Sequence, residues 1–183
     1  MNSIYVFSGP CGCGKTTLSN AYARHLVDKC GKLQVYVIHG DDFHAGFAET
    51  TLRVGTECSQ FLYWKDILTF NWECIVSVAK KALERRLDVV IDYVVEDELP
   101  LLQKLAEDHQ ARLFYVVLTA SREEIRQRLI RRGSSELIER SFFLKEQFDH
   151  HPEYGKYLFD ISGKTVEEEI AEINISQYEV LCI

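Results

Sequence analysis

The feature that most constrains this chain is a glycine-rich segment of eight residues near its start. The segment reads Gly9, Pro10, Cys11, Gly12, Cys13, Gly14, Lys15 and Thr16. An apolar run over residues 4–7 precedes it, and a pattern typical of an amphipathic helix follows it. Its glycines allow tight backbone turns that residues with a Cβ atom resist. A strand, a glycine-rich turn and a helix in direct succession therefore predict the opening unit of an α/β fold.

The same segment predicts a phosphate-binding loop, or P-loop. Its amide groups from about Cys11 to Thr17 would point inward, and the positive end of the following helix would lie behind them, which suits phosphate oxygens. Lys15 would place its charge on the outer phosphates, and the Thr16 hydroxyl would bind Mg²⁺. A chance match in a flexible loop would not explain the flanking strand and helix. We therefore expect residues 9–17 to bind a nucleoside triphosphate, namely ATP with Mg²⁺.

Length and charge narrow the class of protein further. The chain has 183 residues, 46% of them hydrophobic, which suits one compact domain covering residues 1–183. With 21 basic and 28 acidic residues it is net negative, which disfavours a broad nucleic-acid-binding face. No apolar run reaches the length of a membrane span, and the chain begins without a basic leader. We expect a soluble, cytoplasmic protein whose partners are ATP and a small molecule.

The cysteines do not indicate a disulfide framework or a zinc site. The six are scattered over Cys11, Cys13, Cys30, Cys58, Cys74 and Cys182. A chain of this size and apolar content needs no covalent staples, so reduced thiols are expected. Cys11 and Cys13 are one residue apart, with no second pair at zinc-finger spacing, so neither is expected to bind zinc.

Short apolar runs alternate with helical patterns along the chain, which predicts a parallel sheet. The predicted strands are residues 4–7, 34–38, 88–93, 112–118 and 157–161. The predicted helices are residues 15–29, 59–86, 97–109, 121–132, 136–148 and 166–176. Ser121 followed by Glu124 forms a capping box, which supports a helix start there.

A second nucleotide-site element follows the third predicted strand. Residues 89–91 are apolar and end in Asp92, whose carboxylate is expected to hold the water shell of Mg²⁺, as a Walker B aspartate does. The alternative is an aspartate that only caps a turn. Tyr93 follows Asp92 where many motor-type ATPases have a water-activating glutamate. This favours transfer to a substrate, and Tyr93 is assigned to the substrate site.

An acidic stretch, residues 39–44, ends the second predicted strand, at the sheet edge where ligands collect. A carboxylate there would accept the proton of an attacking hydroxyl or bind Mg²⁺. Neighbouring residues that leave a strand point to opposite sides, so one of Asp41 and Asp42 would face the phosphates. The alternative is a solvated loop with Asp42 capping a turn and His44 free on the surface. The residues assigned to substrate are Asp41, Asp42, His44, Arg53 and Tyr93.

One predicted helix is rich in arginine and ends at Gly133. It carries Arg122, Arg126, Arg128, Arg131 and Arg132. Part of this arginine content needs no ligand to explain it, because the helix dipole favours cations near a helix C-terminus and exposed arginines are well solvated. Arg122 and Arg126 are therefore interpreted as surface residues. The last three lie where a lid would close over the triphosphate and neutralise charge during transfer. Arg140 of the next helix is a candidate to join them.

Together these motifs resemble those of small P-loop kinases. The matching features are residues 9–17, Gly40-Asp41-x-Phe43-His44, Asp92, Arg128-x-x-Arg131-Arg132 and residues 159–162. The similarity is greatest to gluconate-kinase-like, chloramphenicol-phosphotransferase-like and tunicamycin-resistance ATP-binding proteins.

This resemblance implies a three-layer P-loop NTPase sandwich with a five-stranded parallel sheet of order 2-3-1-4-5 and a short helical lid. It also implies Asp41 as base, Arg128 against the adenine and the later lid arginines on the phosphates. Its adenine-contacting loop corresponds to Gly163, Lys164 and Thr165.

The expected function is ATP-dependent transfer of the γ-phosphate to a hydroxyl of a small molecule. The alternatives are a nucleoside or nucleotide kinase, and a non-catalytic ATP-binding protein that sequesters a drug. A switch GTPase would need an Asn-Lys-x-Asp signature and an ABC ATPase a Ser-Gly-Gly signature, and both are absent from the sequence. An AAA-type motor would need a longer chain and a glutamate after Asp92. Residues 45–59 match no substrate site, so the acceptor is not identified.

Overall fold

The computed structural model describes residues 1–32, 34–47 and 64–181. Its parallel strands are β1 Ser3–Ser8, β2 Val35–His39, β3 Asp88–Asp92, β4 Arg112–Thr119 and β5 Leu158–Asp160. Its helices are α1 Lys15–Asp28, α2 Asp41–Ala45, α3 Trp64–Glu84, α4 Leu99–Asp108, α5 Arg122–Arg131, α6 Ile138–His150 and α7 Val166–Glu172.

The parallel strands follow the order β2-β3-β1-β4-β5, which confirms the predicted order. Every residue of β1 and of β3 is buried. Strands covered by helices on both faces need such continuous apolar runs. In register, Phe7 and His39 both lie beside Asp92, so the carboxyl ends of β1, β2 and β3 meet at one edge.

The helices cover the sheet in two groups. Helix α1 packs against β1, β2, β3 and α7, whereas α3 packs against β2, β3 and α4. Helices α4 and α6 pack against β4. After β1 the chain continues to β2, which lies on one side of β1 beyond β3. After β3 the chain continues to β4, which lies on the other side of β1. This reversal makes the gap after β1 and β3 the topological switch point, where parallel α/β sheets bind ligands.

The sheet has one strand more than the predicted five. Residues Glu179–Val180 form β6, which pairs antiparallel with β4 through Leu113 and Phe114. Arg112 and Glu179 reinforce this pairing with contacts of 2.8 Å. The five predicted parallel strands are all present, and β6 is an addition that the sequence analysis missed, because a two-residue strand shows no alternation that a pattern can detect.

Helix boundaries depart from prediction at several ends. The predicted helix 166–176 stops at Glu172, because Ile173 adopts an extended conformation. The predicted start at residue 59 lies outside the described residues, and α3 is described from Trp64. Helix α5 begins after Ser121, whose hydroxyl accepts the amide of Glu124, so the predicted helix start is confirmed. The reciprocal bond of the predicted capping box is not formed, because the Ser121 amide donates to the Ser162 hydroxyl instead. Helix α2 was not predicted as a helix.

The structure also bears on the predictions about cysteines, membrane-spanning helices and the hydrophobic core. The cysteines of the described ranges, Cys11, Cys13, Cys30 and Cys74, are free thiols. Within those ranges, no helix combines the length and apolar character needed to cross a membrane. Buried residues of β1, β3, β4 and the flanking helices form a continuous hydrophobic cluster. That all 183 residues form one domain stays a prediction.

Candidate active site

The glycine-rich loop joins β1 to α1 in a conformation that glycine alone adopts easily. Gly9, Gly12 and Gly14 have positive φ angles of 129°, 78° and 91°. A Cβ atom on Gly9 would lie 2.3 Å from the Leu118 carbonyl oxygen, and one on Gly12 would lie 2.9 Å from Leu129 Cγ. The loop is therefore pressed against β4 and α5, and both contacts require glycine.

Neighbouring groups hold the loop in place. The buried Ser141 hydroxyl on α6 donates to the Cys11 carbonyl oxygen at 2.7 Å. The Lys15 ammonium group donates to the Gly9 and Pro10 carbonyl oxygens, each at 3.0 Å, and so lies over the loop. Cys13 is fully buried, and burial raises the pKa of its thiol. It therefore acts as a small core residue rather than as a nucleophile.

Asp92 stands at the end of β3, next to the start of α1. Asp92 is only 4% exposed, yet its carboxylate has two hydrogen-bond partners. His39 Nδ1 donates to Asp92 Oδ1 at 2.7 Å, and the Thr16 side chain also hydrogen-bonds the carboxylate. Burial raises the pKa of Asp92 from its ordinary value, and the bonds from Thr16 and His39 partly oppose this. A hydroxyl beside a carboxylate is an oxygen donor set that fits Mg²⁺.

His39 is a site residue that the sequence analysis missed. It is the last residue of β2 and lies directly beside Asp92 in the sheet register. Its Nε2 atom lies 3.4 Å from Asn20 Nδ2, and Asn20 also donates to the Thr16 carbonyl at 2.8 Å. A neutral imidazole with its proton on Nδ1 satisfies both neighbours. The signal that would have found His39 is its position at the end of a strand that neighbours the Asp92 strand.

A cavity of about 200 Å³ lies beside the P-loop, between α2, α3, the end of β3, the residues that follow α5, and α6. Its described lining residues are Cys11, Asp41, His44, Trp64, Leu68, Trp72, Tyr93, Val94, Glu96, Glu98, Arg132, Leu137, Arg140 and Leu144. We call it the acceptor cavity. Three of the predicted substrate residues, Asp41, His44 and Tyr93, line it. Asp42 is exposed on α2 and is not among the described lining residues, and Arg53 lies outside the described residues.

Polar contacts order one wall of the acceptor cavity. The fully buried Asn71 amide nitrogen lies 2.9 Å from the Tyr93 hydroxyl and 3.1 Å from His44 Nδ1. His44 is thus not the free surface residue of the alternative interpretation. A Cβ atom on Gly40 would lie 2.4 Å from the Tyr93 ring, so a glycine is needed where α2 begins. Burial raises the pKa of the Tyr93 phenol, which keeps it a neutral hydrogen-bonding group.

The structure separates the predicted lid arginines. Arg128 lines a second cavity, of about 240 Å³, together with Gly14, Thr17, Lys164 and Thr165. Arg132 lines the acceptor cavity, with its Nε donating to the Ser134 hydroxyl at 3.2 Å. Arg131 is exposed and is not among the described lining residues of either cavity. The structure therefore places Arg128 and Arg132 at different cavities, and the assignment of these arginines to the phosphates stays a prediction.

The two arginines interpreted as surface residues are exposed and lie over the ring of Phe142. Their guanidinium carbons lie 5.2 Å (Arg122) and 5.4 Å (Arg126) from the ring centroid.

Hydrogen bonds and an ion pair hold residues 163–165, the loop predicted to contact adenine. The Gly163 amide donates to Glu124 at 2.8 Å, and Thr165 caps α7 through a capping box with Glu168. The Lys164 ammonium group contacts Glu172 at 2.6 Å and lines the second cavity. Buried Glu169 also lines this cavity, and its burial raises the pKa of its carboxyl group. The burial of this glutamate was not predicted from the sequence.

Residues 4–151 match the family described as AAA domain, and this range spans most of the chain. The chain belongs to the AAA domain family. The family description names a domain and no reaction. In this AAA domain, Tyr93 follows Asp92 where motor-type ATPases have glutamate, and the P-loop lies at the switch point of the sheet.

Solved structures show the fold of this AAA domain. A gluconokinase from Sinorhizobium meliloti 1021 is 19% identical, with a TM-score of 0.56 over 97% of this chain and 91% of that one. The Mycobacterium tuberculosis APS kinase CysC, in complex with AMPPNP and APS, is 16% identical, with a TM-score of 0.62 over 93% and 94%. The Deinococcus radiodurans tunicamycin resistance protein is 14% identical, with a TM-score of 0.58 over 96% and 97%. The resemblance to small P-loop kinases is confirmed.

A curated relative points to the same group of proteins. The guanylate kinase of Caldanaerobacter subterraneus subsp. tengcongensis is 24% identical over 188 aligned positions, covering 95% of this chain and 87% of the relative. This AAA domain therefore has a kinase-like P-loop fold, similar to proteins that act on different acceptors.

Proposed function

We propose that this protein is an ATP-dependent phosphotransferase that moves the γ-phosphoryl group to a hydroxyl of a small molecule. The observation that carries this proposal is that a P-loop residue also forms part of the wall of the acceptor cavity. Cys11 belongs to the P-loop and also lines the acceptor cavity, where Asp41 is another lining residue. A bound triphosphate and a molecule in the cavity would then lie side by side, as direct transfer requires.

On the nucleotide side, each group has a distinct task. The loop amides and Lys15 would bind the β- and γ-phosphates, and Arg128 would lie against the base at the second cavity. Thr16 and Asp92 would hold Mg²⁺, and His39 would orient Asp92 through its Nδ1 hydrogen bond. The ion, when bound, neutralises negative charge on the phosphates. The similar APS kinase was solved with AMPPNP, an ATP analogue, which supports ATP as the nucleotide.

On the acceptor side, Asp41 would act as the general base. It accepts the proton of the acceptor hydroxyl, whose oxygen forms a bond to the γ-phosphorus. The bond between that phosphorus and the β,γ-bridging oxygen breaks, and the electron pair leaves with ADP. Arg132, on the same cavity wall, would stabilise the charge on the transferring group.

The test is a screen of ATP consumption with purified protein against sugars, sugar acids, nucleosides and hydroxylated aromatic compounds. The expected result is ADP formed in proportion to a product heavier by one phosphate, identified by mass. Binding of ATP together with a candidate compound, but without turnover, would instead mean a sequestering protein. The similarity to a tunicamycin resistance protein makes this alternative worth measuring directly.

A second candidate is a nucleotide kinase, which the 24% identity to a guanylate kinase favours. In this case the acceptor would be the phosphate of a nucleoside monophosphate. GMP and the other monophosphates therefore belong in the same screen. Formation of a nucleoside diphosphate from the monophosphate would establish this candidate over transfer to a hydroxyl.

A further inference from the structure

The charges on the described wall of the acceptor cavity do not favour an anion. The carboxyl groups are those of Asp41, Glu96 and Glu98, and the guanidinium groups are those of Arg132 and Arg140. Arg140 forms a close ion pair with Glu96, so its charge is already neutralised within the protein. Among the described lining residues, Arg132 is then the one guanidinium outside an ion pair, and the carboxyl groups of Asp41 and Glu98 line the same cavity.

The protonation of Glu98 does not change this conclusion. Its carboxylate accepts the amides of Glu96 and Asp97 at 2.9 and 3.1 Å, which stabilises the charged form, while burial raises its pKa. Even with Glu98 neutral, the charges of Asp41 and Arg132 cancel, and the wall has no positive surplus.

Apart from Cys11 and His44, the rest of the described wall is aromatic and aliphatic. Trp64, Trp72 and Tyr93 line the cavity together with Leu68 and Val94. A cavity of roughly 150 Å³ can hold benzene, so the cavity of about 200 Å³ seen here is the size of one ring with short substituents. A phosphate or carboxylate in such surroundings would lose its hydration without gaining a free cation beyond Arg132, which is strongly unfavourable.

We infer, on the basis of the phosphotransferase function proposed above, that the acceptor is a compact hydroxyl compound with one flat apolar ring and no phosphate or carboxylate group. The ring would pack against the aromatic wall, where Trp72 and Tyr93 already contact each other edge-to-face, and the hydroxyl would reach Asp41. A nucleoside monophosphate combines a base, a sugar and a phosphate, and it fits neither the size nor the charge of this cavity.

The chain supplies its own reporter for this inference, because its only two tryptophans both line the acceptor cavity. The protein, saturated with MgADP, is titrated with 2-phenylethanol and with phenylacetate while tryptophan fluorescence is recorded. The two probes share a ring and a chain length and differ in a hydroxyl or a carboxylate. We expect 2-phenylethanol to half-saturate the change at a concentration at least about tenfold lower. Tighter binding of phenylacetate, or no response to either probe, would overturn the inference.

A charge variant sharpens the test. Glu96→Gln releases Arg140 from its ion pair, so the cavity gains an unpaired cation, and the preference against phenylacetate should shrink several-fold or reverse. Glu139→Gln removes an exposed carboxylate next to Arg140 in sequence but outside the described cavity lining, and it should leave the preference unchanged. Equal effects of both variants would mean that bulk charge, rather than the cavity wall, sets the preference, and the inference would fail.

Failure of this inference and failure of the proposed function give different results. If the hydroxyl probe binds preferentially but no hydroxyl compound is phosphorylated, the cavity inference stands and the phosphotransferase proposal fails. If ATP is consumed with GMP or a sugar acid as the best acceptor, phosphoryl transfer stands and the inferred acceptor class is wrong.

Discussion

The nucleotide side and the acceptor side of this site are built in different ways. The nucleotide side consists mainly of backbone from residues 9–17, shaped by glycines with positive φ angles and close contacts to β4 and α5. The acceptor side consists of side chains from five separate parts of the chain, among them Cys11, Asp41, Trp64 and Arg132. One side therefore depends on a short run of sequence, and the other depends on how the whole fold is assembled.

The two sides also differ in charge, which explains why they suit different ligands. The P-loop presents amide groups, the start of a helix and Lys15, all of which attract phosphate. The acceptor cavity places two carboxyl groups against one unpaired guanidinium among its described lining residues. A substitution on one side should therefore leave the ligand of the other side largely unaffected, and each prediction below tests this independence.

The largest effect is expected from Lys15→Ala on the nucleotide side. Its ammonium group lies over the P-loop, on the Gly9 and Pro10 carbonyl oxygens, so ATP affinity should fall by about a hundredfold and turnover by about a thousandfold. Calorimetry gives the affinity, and the melting temperature should change little because Lys15 is only half-buried. Lys29→Ala, at the exposed end of α1, is the control. Unchanged ATP affinity in folded Lys15→Ala protein would remove the basis of the proposed nucleotide site.

The next largest effect concerns the base on the acceptor side. Asp41→Asn keeps the size of the side chain but cannot accept a proton, so transfer should fall by about a hundredfold or more while ATP binding is retained. Asp42→Asn is the matched control, because Asp42 is exposed and is not among the described lining residues of the cavity. Steady-state kinetics and ATP titration measure the two quantities. A larger loss in Asp42→Asn would assign the base to Asp42, and no loss in either would argue against phosphoryl transfer.

A smaller effect should separate the two neighbouring lid arginines. Arg132→Ala should lower kcat by about tenfold or more with little change in ATP affinity, because its charge acts on the transferring group. Arg131→Ala should stay within about twofold, because Arg131 is exposed away from both described cavities. The reverse order of effects would mean that the lid closes in a different arrangement and brings Arg131 to the phosphates.

The smallest effect is expected from Gly40→Ala, which tests the packing of the acceptor side. The new Cβ atom would overlap the base of the Tyr93 ring, so unfolding free energy should fall by about 1 to 3 kcal/mol. Binding of 2-phenylethanol should weaken, while ATP binding stays unchanged. Gly155→Ala, where a Cβ atom meets nothing within 4 Å, should lose no stability in urea denaturation. Equal losses in both variants would show that the Tyr93 contact is not what requires glycine at position 40.

Much of the fold could be predicted from local patterns. The strand and helix around the P-loop appear where expected, and Asp92 ends a buried strand beside it. The resemblance to small P-loop kinases supplied the strand order, which the structure confirms. Strand β6 and helix α2 were missed, because elements of two and five residues are too short to show a hydrophobic period.

The site was harder to predict wherever it depends on residues distant in sequence. His39 contacts Asp92 from another strand, 53 positions away, and Ser141 reaches Cys11 across 130 positions. The sequence also grouped Arg128, Arg131 and Arg132 as one lid cluster, since they lie within five residues of each other. Their spacing would place them on one face of a continuous helix, but α5 ends at Arg131 and Arg132 is its C-cap, and the structure places Arg128 and Arg132 at different cavities.

The sequence by itself determined the part of this protein that binds phosphate, because a P-loop needs only its own glycines, one lysine and the adjoining strand and helix. Tertiary structure alone decided which side chains line the acceptor cavity. Asn71, Tyr93 and His44 meet only after α3, β3 and α2 have packed together. Backbone conformation follows from neighbouring residues, whereas the shape and charge of a cavity follow from distant residues brought together by burial of the core.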